Sequence, residues 1–254
     1  MTHLWVRAEQ RGNEERVGLT PEGAAALIKS GITVTVEQSS TRCIPIHGYI
    51  DAGCNTAPEH SWPSAPADAI IFGLKELPDD GTPLPHKHIL FGHAFKGQPS
   101  GQRLLKRFVA GGGCLYDLEY LVDPAGRRVA AFGYWAGYAG AAVALKCWAA
   151  QQRAEVAGPV KTYSSSSKLL ADLNHEFDTI SAPRPNALVI GALGRVGTGA
   201  ADLCAKMGVS TTLWDMAETA TGGPFPEVLK HNVFFNCILA RSGTPVFVPK
   251  TAKT

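Results

Sequence analysis

Short apolar runs rich in branched and aromatic residues alternate along the first half of the chain with runs of helical period. LWVRAE (4–9), ITVTVEQ (32–38), AIIFGL (69–74), HILFGHA (88–94) and CLYDLEYL (114–121) read as strands. Between them, TPEGAAALIKSG predicts a helix with Thr20 as N-cap, Pro21 at the first helical position and Gly31 at the stop. GQRLLKRFVAGG (101–112) predicts another helix with a glycine stop. Strands alternating with helices point to a mostly parallel sheet covered on both faces.

YWAGYAGAAVALKCWAAQQ (134–152) predicts one long helix, with small residues at Gly137, Ala139, Gly140, Ala141 and Ala142. Glycine inside a helix costs about 1 kcal/mol relative to alanine, so close packing against another backbone is the expected return. KTYSSSSKLLAD then reads as a polar loop entering a helix. The pattern restarts with NALVIGALGRVGTGAADLCAKMG and STTLWD, a strand, glycine turn, helix and strand, and NVFFNCIL (232–239) adds one more buried strand. The expected fold is α/β with two Rossmann-like, doubly wound domains. They are a substrate and catalytic domain over residues 1–134 and a nucleotide-binding domain over 153–254, with 135–152 as the interdomain helix. The second domain has room for about three strands against the usual five or six, so it is expected to be shortened and to expose a sheet edge.

Composition changes this picture little. The chain has 254 residues, 45% apolar and 18% charged, enough for two α/β domains. A net charge of +2 gives no reason to expect nucleic acid or an anionic membrane as partner. No apolar stretch is long enough for a bilayer, and MTHLWVRAEQ lacks the basic head and apolar core of a signal peptide. Six cysteines scattered without C-x-x-C or Cys/His metal spacing suit reduced thiols, and the terminal AKT does not support peroxisomal targeting, so the expected location is the cytoplasm.

The first chemical signal is the glycine turn VIGALGRVGTGA, which follows a strand and opens a helix. Read as A/G-x-G-x-x-G, its members are Ala192, Gly194 and Gly197, with Gly191 just before. Small residues permit the tight turn and let main-chain N–H groups meet a pyrophosphate at a helix N-terminus. Asp215 closes the next strand, where a carboxylate accepts from ribose hydroxyls and repels a 2′-phosphate. The expected cofactor is NAD.

The second signal is a row of charged strand tips: Arg7 and Glu9, Lys75 and Glu76, His93 with Lys96 behind it, Asp117 and Glu119. Ligands of open parallel sheets sit beyond the carboxyl ends of the strands, so these residues outline a lined cleft. A lysine and a histidine there suit proton transfer to and from an amine beside hydride transfer. Taken singly, Glu9, Asp117 and Lys96 read as solvated strand ends or satisfied ion pairs. Arg16 and Arg128 follow turns and could clamp carboxylates with their planar forks, whereas Arg127 reads as a surface residue.

At the level of whole motifs the chain resembles the saccharopine dehydrogenase family, the NAD-dependent, lysine-forming type. The resemblance is carried in order by RAEQRGNEERVGLTP, IIFGLKELP, FGHAFKGQ, LYDLEYL, GRRVAAFGYWAGYAGAA, VIGALGRVGTGA, LWDMAET, GGPF and FFNCI, from residue 3 to about 240. It implies oxidation of saccharopine by NAD and hydrolysis of the resulting imine to lysine and 2-oxoglutarate. It further implies Lys75 as the base at the secondary amine and His93 as the acid–base group for water attack, with Glu76 and Glu119 tuning them. Arg16, Lys96 and Arg128 would hold substrate carboxylates; Gly194, Arg195, Gly197 and Asp215 would hold NAD. Val196 in the turn stands where some relatives carry cysteine. The family runs on well beyond residue 254 in this numbering, so two other readings stay open. One is a shortened, non-catalytic NAD-binding relative that forms a homo-oligomer through its uncovered sheet. The other is a different NAD-dependent amino-acid dehydrogenase, such as an alanine dehydrogenase.

Overall fold

The computed structural model describes residues 1–240 and 242–248; the terminal AKT lies outside the described residues. The chain forms two compact units, residues 1–131 and 132–254.

The first unit is one parallel sheet of six strands: β1 (His3–Val6), β2 (Thr33–Glu37), β3 (Asn55–Ala57), β4 (Ile70–Phe72), β5 (Lys87–Leu90) and β6 (Cys114–Asp117). Their spatial order is β3-β2-β1-β4-β5-β6. The chain therefore reverses its direction of travel across the sheet between β1 and β4, the switch point where open α/β sheets leave a crevice at their carboxyl ends. One face buries Val6, Val34, Val36 and Tyr49 under α1 (Pro21–Lys29) and α2 (Ile46–Asp51); the other buries Ile71, Leu90 and Trp62 with Phe108 of α3 (Pro99–Gly111). As expected, α1 starts at a Thr20 cap, whose side chain accepts from the Gly23 N–H, with Pro21 in its first turn.

The second unit opens with α4 (Gly133–Gln152) and α5 (Ser166–Asp178), followed by β7 (Asn186–Ile190), α6 (Arg195–Lys206), β8 (Ser210–Trp214), α7 (Met216–Thr219) and β9 (Val233–Asn236). Its three strands are parallel in the order β8-β7-β9. The long helix that the sequence pattern sets between domains is part of this unit and packs on α6. Its small residues let the two backbones touch. A Cβ on Gly137 would fall 1.8 Å from the Val196 carbonyl oxygen, and one on Gly199 would fall 1.9 Å from that of Tyr134. Neither neighbour is a side chain that could rotate away. Gly199→Leu is therefore expected to destabilise the second unit by at least about 1–3 kcal/mol, the usual cost of overpacking, read as a lowered thermal midpoint. An unshifted midpoint would contradict the backbone contact.

Candidate functional site

Four carboxyl-terminal strand ends carry the polar residues of the first unit. The loops after β4 and β5 run alongside one another: Gly73 N–H donates to the Ile89 carbonyl at 3.1 Å and Phe91 N–H to the Leu74 carbonyl at 3.1 Å. That pairing sets Lys75 and His93 on neighbouring strand tips.

Around the β1–β4 switch point, Lys75 is half-buried. Among the described residues its ammonium makes no hydrogen bond or ion pair; through space it helps to hold down the carboxyls of Glu14 and Glu76. Glu76 is exposed and hydrogen-bonds the Arg11 guanidinium. Partial burial pushes the Glu76 carboxyl up, and Arg11 with Lys75 outweighs it, so the net direction is down. Buried Glu14 takes Arg16 in a bidentate pair, 2.7 Å to Nε and 2.6 Å to Nη2, and this hydrogen-bonded pair holds the Glu14 carboxyl below its ordinary range.

Around β5 and β6, Glu119 is a hub. Its Oε1 accepts from Lys96 Nζ at 3.0 Å and its Oε2 from Arg128 Nη2 at 3.0 Å, while His93 Nδ1 stands 3.8 Å from Oε2. The Lys96 hydrogen bond, then Arg128 and His93, keep the Glu119 carboxyl ionised below its ordinary range. His93 itself is at φ +48°, in the left-handed region, with its ring stacked on Phe91. Asp117 fixes the surrounding loop: its carboxylate accepts from the N–H groups of Gly92, Ala94 and Glu119 at 3.0–3.4 Å. Arg127, as read, is a surface residue, exposed and paired with Asp123. The structure thus gathers His93, Lys96, Glu119 and Arg128 in one cluster, and Lys75, Glu76 and Arg16 in another.

In the second unit the glycine turn has the shape a dinucleotide needs. Gly191 is at φ +86°, and a Cβ on Gly197 would fall 2.1 Å from the Gly191 carbonyl oxygen. Gly194 is the N-cap of α6, whose ladder begins with Thr198 N–H donating to the Gly194 carbonyl at 2.9 Å. The N–H groups of Arg195, Val196 and Gly197 precede that first bond and face out of the helix end, the arrangement that binds phosphate. Asp215 closes β8 over this turn, Oδ2 accepting from Leu193 N–H at 2.8 Å and Oδ1 from Met216 N–H at 2.9 Å. Two carboxylate oxygens retain lone pairs for further donors. A dinucleotide fits this cradle. Among the described residues there is no group of metal-ligating side chains.

A family profile described as "Alanine dehydrogenase/PNT, N-terminal domain" matches residues 5–139. Saccharopine dehydrogenase [NAD(+), L-lysine-forming] of Candida albicans is 42% identical over 268 residues, covering 97% of this chain and 70% of the relative. The Neurospora crassa enzyme of the same name is 45% identical over 254 residues, covering 97% and 68%. The chain belongs to the saccharopine dehydrogenase family. Among solved structures, an L-alanine dehydrogenase superposes with a TM-score of 0.51 at 15% identity over 92% of this chain, which spans 61% of that structure. That likeness carries the fold alone.

Within this saccharopine dehydrogenase family framework, some residues of the site escaped sequence reasoning. Glu14 lies with Arg16 in NEER and Arg11 lies two residues ahead of that stretch, but nothing in spacing says that Glu14 is buried or that Arg11 reaches Glu76. Gly73 is another: a Cβ there would lie 2.4 Å from Arg7 Nε. The only sequence signal was a glycine inside an otherwise branched strand pattern.

Proposed function

We propose that this chain oxidises saccharopine with NAD and water to L-lysine and 2-oxoglutarate, releasing NADH. The observation that carries the reading is Lys75 at the switch point, without a hydrogen-bonding partner of its own among the described residues, one strand from the His93–Glu119 cluster.

Lys75 takes the proton from the secondary amine of saccharopine, so the nitrogen lone pair can form the C=N bond as hydride leaves the adjacent carbon. NAD supplies the acceptor for that hydride. His93 then removes a proton from water as its oxygen attacks the imine carbon, returns a proton to nitrogen as the C–N bond breaks, and takes up the hydroxyl proton as the carbonyl forms. Glu119 orients His93 and neutralises Lys96 and Arg128 until substrate carboxylates share those cations. Arg16 holds a further carboxylate. Arg195, Val196 and Gly197 present backbone N–H groups to the pyrophosphate, Gly194 caps the helix end with its own N–H held by the Gly191 carbonyl, and Asp215 accepts from the ribose.

The free state of all six cysteines accords with a reducing, cytoplasmic setting, which belongs to the same proposal. No helix of the described residues is long and apolar enough to cross a membrane.

The test is NADH absorbance on mixing the chain with saccharopine and NAD, with alanine as the competing substrate. NADH from saccharopine and none from alanine is expected; NAD binding without NADH would sink the reading. Arg128 is exposed, so Arg128→Leu should leave the fold intact. Losing one charge-assisted contact of about 1.5 kcal/mol should raise the saccharopine KM about tenfold, with the NAD KM unchanged. An unaltered saccharopine KM would remove Arg128 from the substrate site.

A further inference from the structure

The backbone around Lys75 lies beyond the last ladder bond of β4, and its polar groups can be followed one by one. Phe72 C=O accepts from Arg7 N–H at 2.9 Å, Gly73 N–H goes to Ile89, and Leu74 C=O accepts from Phe91. Beyond these come the N–H of Leu74, the N–H of Lys75 and the C=O of Lys75. One ion pair takes all three. Glu9 Oε1 accepts from Leu74 N–H at 2.6 Å, Glu9 Oε2 accepts from Lys75 N–H at 3.0 Å, and Arg7 Nη2 donates to the Lys75 carbonyl. Arg7 Nη1 stands 3.3 Å from Glu9 Oε2, with the two residues 2% and 8% exposed. Gly73 has no side chain because the Arg7 guanidinium occupies that space.

A buried ion pair is weak as a source of stability, since a well-packed apolar pair is often as good or better. What an apolar pair cannot do is hold both polar groups of a single residue outside the sheet. We propose that Arg7 and Glu9 are positioning residues that fix the Lys75 peptide, and through it the direction of the ammonium, from the rigid end of β1. The inference rests on the reading of Lys75 as the base. Small displacements of a reacting group cost large factors in rate, so the clamp contributes to turnover rather than to substrate affinity.

Glu9→Gln keeps the shape but replaces one accepting oxygen with an N–H donor that opposes a backbone N–H. It is expected to lower kcat about 30-fold with the NAD KM unchanged, and to cause no further loss in a Lys75→Met background. Glu9→Asp, which keeps both accepting oxygens, should recover part of the rate, and it carries the same comparison if Glu9→Gln does not fold. Amide hydrogen exchange at Leu74 and Lys75 should accelerate about tenfold in Glu9→Gln, while exchange at Thr35 and Val36 of β2 stays as in the parent chain. Unchanged exchange at Leu74 and Lys75 would overturn the clamp. An equal loss of rate with and without Lys75 would also overturn the proposal, because it would mark a general structural role. A Lys75→Met chain with full activity would remove the base assignment, and the positioning claim with it, while the exchange data still reported separately on the clamp.

Discussion

Lys75→Met should lower the rate of NADH formation from saccharopine by about 10²- to 10⁴-fold, the range that a positioned general base contributes. Methionine keeps the length and apolar stem of lysine and removes only the amine. Among the described residues that amine donates no hydrogen bond and forms no ion pair, so its removal leaves no buried partner unsatisfied, and stability should change by no more than about 0.5 kcal/mol. NAD affinity should also stand, because the glycine turn and Asp215 belong to the second unit. The loss should therefore fall on kcat with a normal melting curve and normal NAD binding. A variant that is equally stable, still binds NAD and turns over at the parent rate would show that Lys75 is not the base. A variant that fails to fold would point instead to a structural lysine, which its half-exposed and unpaired state argues against.

How legible this was in the sequence differs residue by residue. The alternation of branched strands and capped helices reveals the sheet, and the charged residues do lie at the carboxyl ends of its strands. Strand lengths were overread. LWVRAE ends as a strand at Val6, after which the side chains of Arg7 and Glu9 hold the Lys75 peptide, and no pattern of apolarity distinguishes that from further strand residues. CLYDLEYL likewise ends at Asp117, whose side chain accepts from Glu119 N–H and starts a 3-10 turn. Strand β3 was missed because Asn55–Ala57 has no apolar run to announce it; its register with Thr35–Glu37 is made by backbone alone. For Glu9 the sequence leaves a solvated strand end and a satisfied ion pair both open; the structure shows the ion pair, and composition cannot say what such a pair is holding. Glu119 as a hub was out of reach from spacing alone, since its three partners come from positions 93, 96 and 128. Small residues in the long helix did signal a backbone contact, though not that α6 would be the partner.

His88→Leu should make the first unit markedly less sensitive to acid. His88 on β5 is fully buried, with its ring edge-on to Trp62 at 5.2 Å and to Phe108 at 5.4 Å. Neither ring nitrogen has a hydrogen-bond partner among the described residues. Burial, then the nearby charges of His86, Arg7 and Arg107, pushes its pKa down to about 3, so the folded chain holds it neutral. The unfolded chain protonates the same imidazole near pH 6.5. Because the folded value is the lower one, the stabilising contribution is complete above about pH 6.5 and is lost as pH falls toward 3. At about 1.4 kcal/mol per pH unit, the loss is about 2 kcal/mol by pH 5 and about 4–5 kcal/mol by pH 3. Leucine has no proton to take up, so the difference in stability between pH 7.5 and pH 5 should shrink by about 2 kcal/mol in the variant, measured by denaturant unfolding at both values. An identical difference in both chains would mean that His88 is hydrated or already charged when folded. The comparison also bears on the chemistry. Activity lost in acid should come in part from unfolding driven by His88, which lies on β5 just ahead of the loop that carries His93. A His88→Leu chain that keeps its fold at pH 5 and still loses turnover isolates the part that belongs to the site.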